Sequence, residues 1–328
     1  MPRIRLTALA RFPLRNVGAL TAAIGACLVL GTAVADAAVE IRYERALDLT
    51  RNEDGRLLPV SVTCDAVSGG LVVTDAAHGV LHVFNGAGIE TFRTTGFAGL
   101  SQPDDGAIDR AGRLLGVTLT DGTHYTLARL DVYGEPDGWT AASPRDDWRP
   151  DHVLVARDGN YVTIDGTTGL LAKHDEASGA VMWAKVIAQS EAADGDLEMG
   201  LGRPVQLADG SYAIPGSNLH RIVLVGEDGE VRSTFGRFGS SPGRMVAPVA
   251  VAEGPGGTLL VLDQMRHKIL AFGVDQEFIS EFGSIGDAPG AFYHPVSMAT
   301  DGNGHLFVAQ GYRGRVQVFS VLAAGAVE

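Results

Sequence analysis

The chain has 328 residues, 43 of them glycine, about 13% where about 7% is usual, and that surplus points to many tight turns. Hydrophobic residues at 45% suffice for a large core, while 20% charged and 7% aromatic residues exclude a disordered or aromatic-stacking chain. A net charge of −13 disfavours nucleic acid phosphates and anionic lipid surfaces as partners.

Arg3, Arg5, Arg11 and Arg15 precede residues 16–35, a run without any charge, and Ala33-Val34-Ala35 and Ala35-Asp36-Ala37 both have the small-x-small form of a cleavage site. Residues 1–37 read as a secretory signal peptide, with export to the periplasm or beyond and no membrane span once the leader is cut. The same run is long enough for an uncleaved membrane anchor, and Ile24-Gly25-Ala26-Cys27 loosely resembles a lipobox. Cleavage would remove four basic residues and leave Cys64 as the only cysteine, so no intrachain disulfide is expected. Cys64 lies in Val60-Ser61-Val62-Thr63-Cys64 on the face of the two valines, the position of a buried structural thiol.

Self-similarity dominates the rest. Prolines at 59, 103, 150, 204, 248 and 295 each open a short apolar segment. Three residues beyond them stand Val62, Gly106, Val153, Leu207, Val251 and Met298, a column broken only by the glycine. Nine residues beyond the proline, Gly112, Gly159, Gly257 and Gly304 close hairpin turns. A second apolar stretch follows, as in Leu71-Val72-Val73-Thr74-Asp75, then a third, as in Val80-Leu81-His82-Val83-Phe84, and a fourth, as in residues 277–282. Four short strands per roughly 46 residues is the size of a propeller blade. The expected fold is an all-β, six-bladed β-propeller of four-stranded antiparallel blades, a single domain over residues 38–328. The sixth repeat runs out soon after its third strand, at Phe319, so residues 42–50 are expected to supply its outer strand and close the ring.

Phe282-Gly283 leads through Pro289-Gly290 to Pro295, and Phe235-Gly236 leads to Pro248 at the same spacing. Leu219-His220-Arg221-Ile222 and Arg266-His267-Lys268-Ile269 accompany them. These segments resemble the NHL-repeat signature, with its Phe-Gly pair, Pro-Gly and Asn-His-Arg-Ile elements. The resemblance implies a six-bladed propeller; for function it implies little, because such repeats occur in lyases, sensor domains and protein-binding or RNA-binding modules.

In an up-and-down propeller, the segment entering each innermost strand and the loop joining strands two and three share one face around the channel. The polar residues placed there are Asp104, Arg149, Asp151, His152, Arg203, His294 and Tyr312, the candidate ligand-binding set. Mixed charge suits a protein segment, a peptide or a zwitterionic small molecule, with Arg149 and Arg203 gripping carboxylates and Asp104 and Asp151 receiving an amine. The peptidyl-hydroxyglycine amidating lyases, which the repeats also resemble, place zinc-binding histidines immediately after the blade proline. Here those positions are Val60, Asp104, Asp151, Val205, Val249 and Val296, without an imidazole. A binding or scaffolding role without a cofactor is therefore expected; the alternative is a metal-dependent lyase or hydrolase, with zinc, or with calcium on Asp104 and Asp151 if backbone carbonyls complete its shell. His78, His124, His220 and His267 recur in the loops between strands two and three, which argues for structural roles, and pleat alternation turns His152 and His294 away from the ligand direction. Residues 190–198, with four carboxylates, are expected to form a solvated acidic loop at the same face.

Overall fold

The computed structural model describes residues 39–49, 57–65, 68–94, 101–120, 124–188 and 199–323. The leader, Cys27 and the acidic segment 190–198 lie outside the described residues. Asp36–Glu328 forms one compact unit, built of six four-stranded antiparallel sheets, the blades of a β-propeller. Blades 1 to 5 occupy residues 59–93, 101–140, 152–186, 205–235 and 248–282, each with its strands in sequence order. Blade 6 combines Pro295–Thr300, His305–Gln310 and Arg315–Ala323 with Val39–Asp48 as its outer strand. Among the described residues no helix is long and apolar enough to cross a membrane.

The closing strand lies a few residues before its expected position at 42–50. The third strand of blade 6 continues past Phe319 to Ala323, and this extension offers partners to Val39, Glu40 and Ile41. Val39, Ile41 and Tyr43 pack on the cluster that contains Phe319 and Val321, so burial favours the earlier register.

The second strands explain why the repeat is readable. Leu71–Asp75, Tyr161–Asp165 and Leu259–Asp263 are buried at every position, because neighbouring blades cover both faces of the sheet, and such strands read as unbroken apolar runs. Between blades, Trp139 meets Tyr161 edge-on at 5.3 Å and Trp183 meets Tyr212 at 6.4 Å. The turn glycines Gly112, Gly159, Gly257 and Gly304 have φ of 80°, 91°, 78° and 96°, values that glycine adopts freely. Gly106 interrupts the apolar column for a steric reason: a Cβ there would lie 3.0 Å from both δ-methyls of Leu81.

The aspartates that end several second strands set the site geometry. Asp75 accepts the Leu58 N–H at 2.8 Å, Asp165 the Arg149 N–H at 3.2 Å, and Asp263 the Val246 N–H at 2.6 Å. In blade 6, Gln310 takes the same part with the Tyr293 N–H at 2.9 Å. Blades 1, 3, 5 and 6 thus tie the segment entering the innermost strand to the end of their own second strand. Because strands alternate in direction, these segments and the loops between strands two and three lie at one end of the channel, the mouth end.

Candidate functional site

The residue two places after each blade proline defines a layer across the channel: Ser61, Asp105, His152, Gln206, Ala250 and Ser297. An innermost strand is a sheet edge, so its outer N–H groups need partners, and this layer supplies several. Ser297 Oγ accepts the Val62 N–H at 3.1 Å, from blade 6 to blade 1. Asp105 Oδ2 accepts the Val153 N–H at 3.0 Å, from blade 2 to blade 3. Asp105 Oδ1 also accepts from Ser61 Oγ at 2.7 Å and from the Gly106 N–H at 2.8 Å.

Asp105 is fully buried, and its compensating cation arrives from blade 4. Arg203 forms an ion pair with Asp105 and donates to Ser61 Oγ at 2.6 Å. In a six-membered ring, blade 4 stands opposite blade 1, so the guanidinium spans the channel. Its side chain is only 13% exposed. Burial works against the charge of Asp105, but Arg203, His152 and Ser61 outweigh it and hold the carboxyl below the usual range. Burial lowers Arg203 against the opposing pull of Asp105. A cavity of about 140 Å3 runs along the innermost strands beside this bridge, lined by Arg203, Thr63, Cys64, Val155 and Met298 among others. Cys64 is partly buried there, and burial pushes its thiol up to about 12, a structural thiol rather than a nucleophile.

Three more of the expected residues gather around Asp104. Asp104 is half-buried and has no hydrogen-bond partner among the described residues; burial and the charge of Asp151 push its carboxyl up to about 6, against the pull of Arg149 and His152. Asp151 is also raised, first by burial, and its Oδ2 accepts the Gly166 N–H at 2.6 Å. Arg149 is exposed with its guanidinium 4.4 Å above the Tyr125 ring. His152 is near enough to pull the Asp104 and Asp151 carboxyls down, and its Nδ1 lies 3.4 Å from Asp105 Oδ2. His294 and Tyr312 form a separate pair on blade 6, edge to face at 5.0 Å. The structure therefore brings Asp104, Arg149, Asp151 and His152 together, commits Arg203 to the bridge, and sets His294 with Tyr312 farther round the ring.

The loop histidines divide. His220 and His267 occupy positive-φ positions at 55° and 56°, where blades 1, 3 and 6 carry Gly79, Gly169 and Gly314 at 66°, 73° and 60°. His78 binds Asp75 Oδ2 at 2.5 Å. His124 is not in a loop: it opens the third strand of blade 2, paired with Thr120, because that hairpin is extended to a short connection.

A zinc site of the three-imidazole kind does not fit the donors after the prolines, since four of those six positions are valine and the other two are Asp104 and Asp151. Among the described residues, no group of three His, Cys, Asp or Glu side chains converges as metal ligands do.

No family profile matches the sequence, and no curated protein matches it. Solved structures do. A catalytically inactive virginiamycin B lyase from Staphylococcus aureus with quinupristin aligns at a TM-score of 0.59 and 12% identity, covering 87% of this chain and 100% of that one. A protein of unknown function from Bacteroides thetaiotaomicron aligns at 0.62 and 11%, covering 87% and 76%. Kuenenia stuttgartiensis hydrazine synthase aligns at 0.55 and 15%, covering 85% and 99%. At such identities the likeness speaks for the fold alone, and the fold is that of a six-bladed β-propeller.

Proposed function

We propose that this chain is an exported, NHL-like propeller that binds a peptide, a protein segment or a zwitterionic small molecule at its channel mouth. The observation that carries the reading is Asp104: a half-buried carboxylate without a hydrogen-bond partner among the described residues, pushed up to about 6 beside Asp151. Holding two carboxylates close together in a partly buried place costs stability unless a cation joins them. A ligand ammonium would relieve both, and Arg149, steadied over Tyr125, would meet a ligand carboxylate. Binding would then release a proton near pH 6, because the ammonium favours ionised Asp104.

The test is the Arg149→Ala/Asp151→Ala double variant titrated with a panel of free dipeptides and tripeptides. Affinity for the peptides that bind the wild type is expected to fall tenfold or more, about 1.4 kcal/mol, in a variant that still unfolds in one cooperative transition. Unchanged affinity would remove the mouth as the site. A lyase reading draws on the names of several structural neighbours and lacks the imidazole set; stoichiometric zinc with turnover of a hydroxyglycine-terminated peptide would put it first.

A further inference from the structure

The mouth end is electrically divided. Within a chain of net charge −13, the mouth-end loops of blades 5 and 6 (residues 236–247, 264–267, 283–294 and 311–314), with residues 217–220 of blade 4, contain four arginines and a single acidic residue, Asp287, whereas the sequence entering blade 4 carries four carboxylates in 190–198. The same loops expose apolar side chains, and exposed apolar groups set among basic ones mark an interaction surface. Phe238 is 65%, Tyr312 56% and Tyr293 40% exposed, with Met265 and Ile285 beside them in the chain order of the loops.

These rings are not loose. His220 lies 4.5 Å from the Phe238 ring, and its Nδ1 meets the Val246 carbonyl. His267 stacks on Tyr293 at 6.2 Å, Arg313 lies 4.6 Å over the same ring, and His294 braces Tyr312 at 5.0 Å. All three histidines hold φ between 51° and 56°, and two of them stand where sister blades use glycine. Bulky residues kept in the left-handed region, at a conformational cost that glycine avoids, are found where function demands the side chain. Exposed aromatic rings fixed in advance are also the usual anchors of an interface, because little freedom is lost when a partner docks.

We propose that Phe238, Tyr293 and Tyr312, with Arg237 and Arg313, form a docking surface for an acidic peptide segment bearing apolar side chains. Charge complementarity selects the partner: Arg237 pairs with no carboxylate among the described residues, and Arg313 is answered by the one aspartate, Asp287. The faces of Tyr293 are engaged by His267 and Arg313, so the surface offers ring edges and methyl groups, which fit side chains better than a flat sugar. The proposal shares with the preceding section the reading of the mouth end as the binding end, but uses other blades and the opposite charge.

The probe is a twelve-residue peptide alternating Glu or Asp with Leu or Phe, acetylated and amidated so that it has no terminal amine for Asp104 and Asp151. Its control replaces every acidic residue with Lys. At 0.15 M salt the acidic peptide is expected to bind at 1:1 and the control not at all. Binding should fall at least tenfold in Phe238→Ser/Tyr293→Ser and in Arg237→Glu, and stay unchanged in Arg149→Ala/Asp151→Ala. Loss only in the last variant would overturn the surface while leaving the mouth reading standing. Absence of binding to the wild type would overturn it, as would Phe238-dependent binding to phosphatidylglycerol vesicles or Phe238-dependent dimerisation without peptide binding.

Discussion

Replacing Asp105 tests the central bridge most directly. The carboxylate is fully buried, accepts from Ser61, the Gly106 N–H and the Val153 N–H, and neutralises Arg203. Removing one partner of a buried ion pair costs about 3–5 kcal/mol, and each buried N–H left without an acceptor adds roughly 1–3 kcal/mol. Arg203 retains 13% exposure and borders a cavity of about 140 Å3, so water can reach part of what is orphaned. A net loss of about 4–6 kcal/mol is expected for Asp105→Ala. Asp105→Asn keeps an acceptor for the backbone and should lose about half as much. In Asp105→Ala/Arg203→Met no charge is stranded, so the double variant should be more stable than the sum of its single changes by about 1–3 kcal/mol. Urea unfolding followed by the fluorescence of Trp139, Trp148 and Trp183 measures these four proteins and the Arg203→Met single variant that completes the cycle. The folded carboxyl lies below its unfolded value, so its contribution is complete above about pH 4 and fades as pH falls through the folded value; the gap between wild type and Asp105→Asn must shrink in acid. A loss below about 1 kcal/mol for Asp105→Ala, or strict additivity in the double variant, would refute the bridge as a buried, coupled pair.

Asp104 carries the opposite sign. Its folded carboxyl is raised to about 6, so ionisation costs stability above that pH and the cost vanishes below about pH 4; Asp104→Asn should therefore be more stable than wild type by about 1–2 kcal/mol at pH 8, after solvent screening, and equal to it at pH 4 in urea titrations. Gly179 has φ of 72° and a Cβ there would sit 2.4 Å from the Thr140 carbonyl oxygen, whereas Gly159 at 91° has nothing within 4 Å. Gly179→Ala should cost about 2–4 kcal/mol and Gly159→Ala about 1 kcal/mol in thermal melts, and equal costs would show that strain alone, not the clash, sets the penalty.

The proline register, the run of apolar second strands and the turn glycines were legible in the sequence because each follows from a local demand that repeats six times. Strands covered on both faces must be apolar throughout, and turns at positive φ select glycine. The site was legible only in part. Asp104, Arg149 and Asp151 could be found because they flank the proline that opens each innermost strand, and the proline is visible. The layer one residue further in was visible as a column too, with Ser61, Asp105 and Ser297 among its members. Its meaning was not, because a period of two fixes which side a residue faces but not whether that side meets solvent or the next blade. Only the ring puts Val153 beside Asp105, 48 positions away. Arg203 shows the same limit from the other direction. Its place before the blade 4 proline marks it as a mouth residue, yet a side chain that long can reach across a narrow channel, and a buried carboxylate opposite decides where it goes. The division of charge between blades depends on no side-chain direction at all, and counting arginines and carboxylates loop by loop in the proline register would have exposed it before any coordinates.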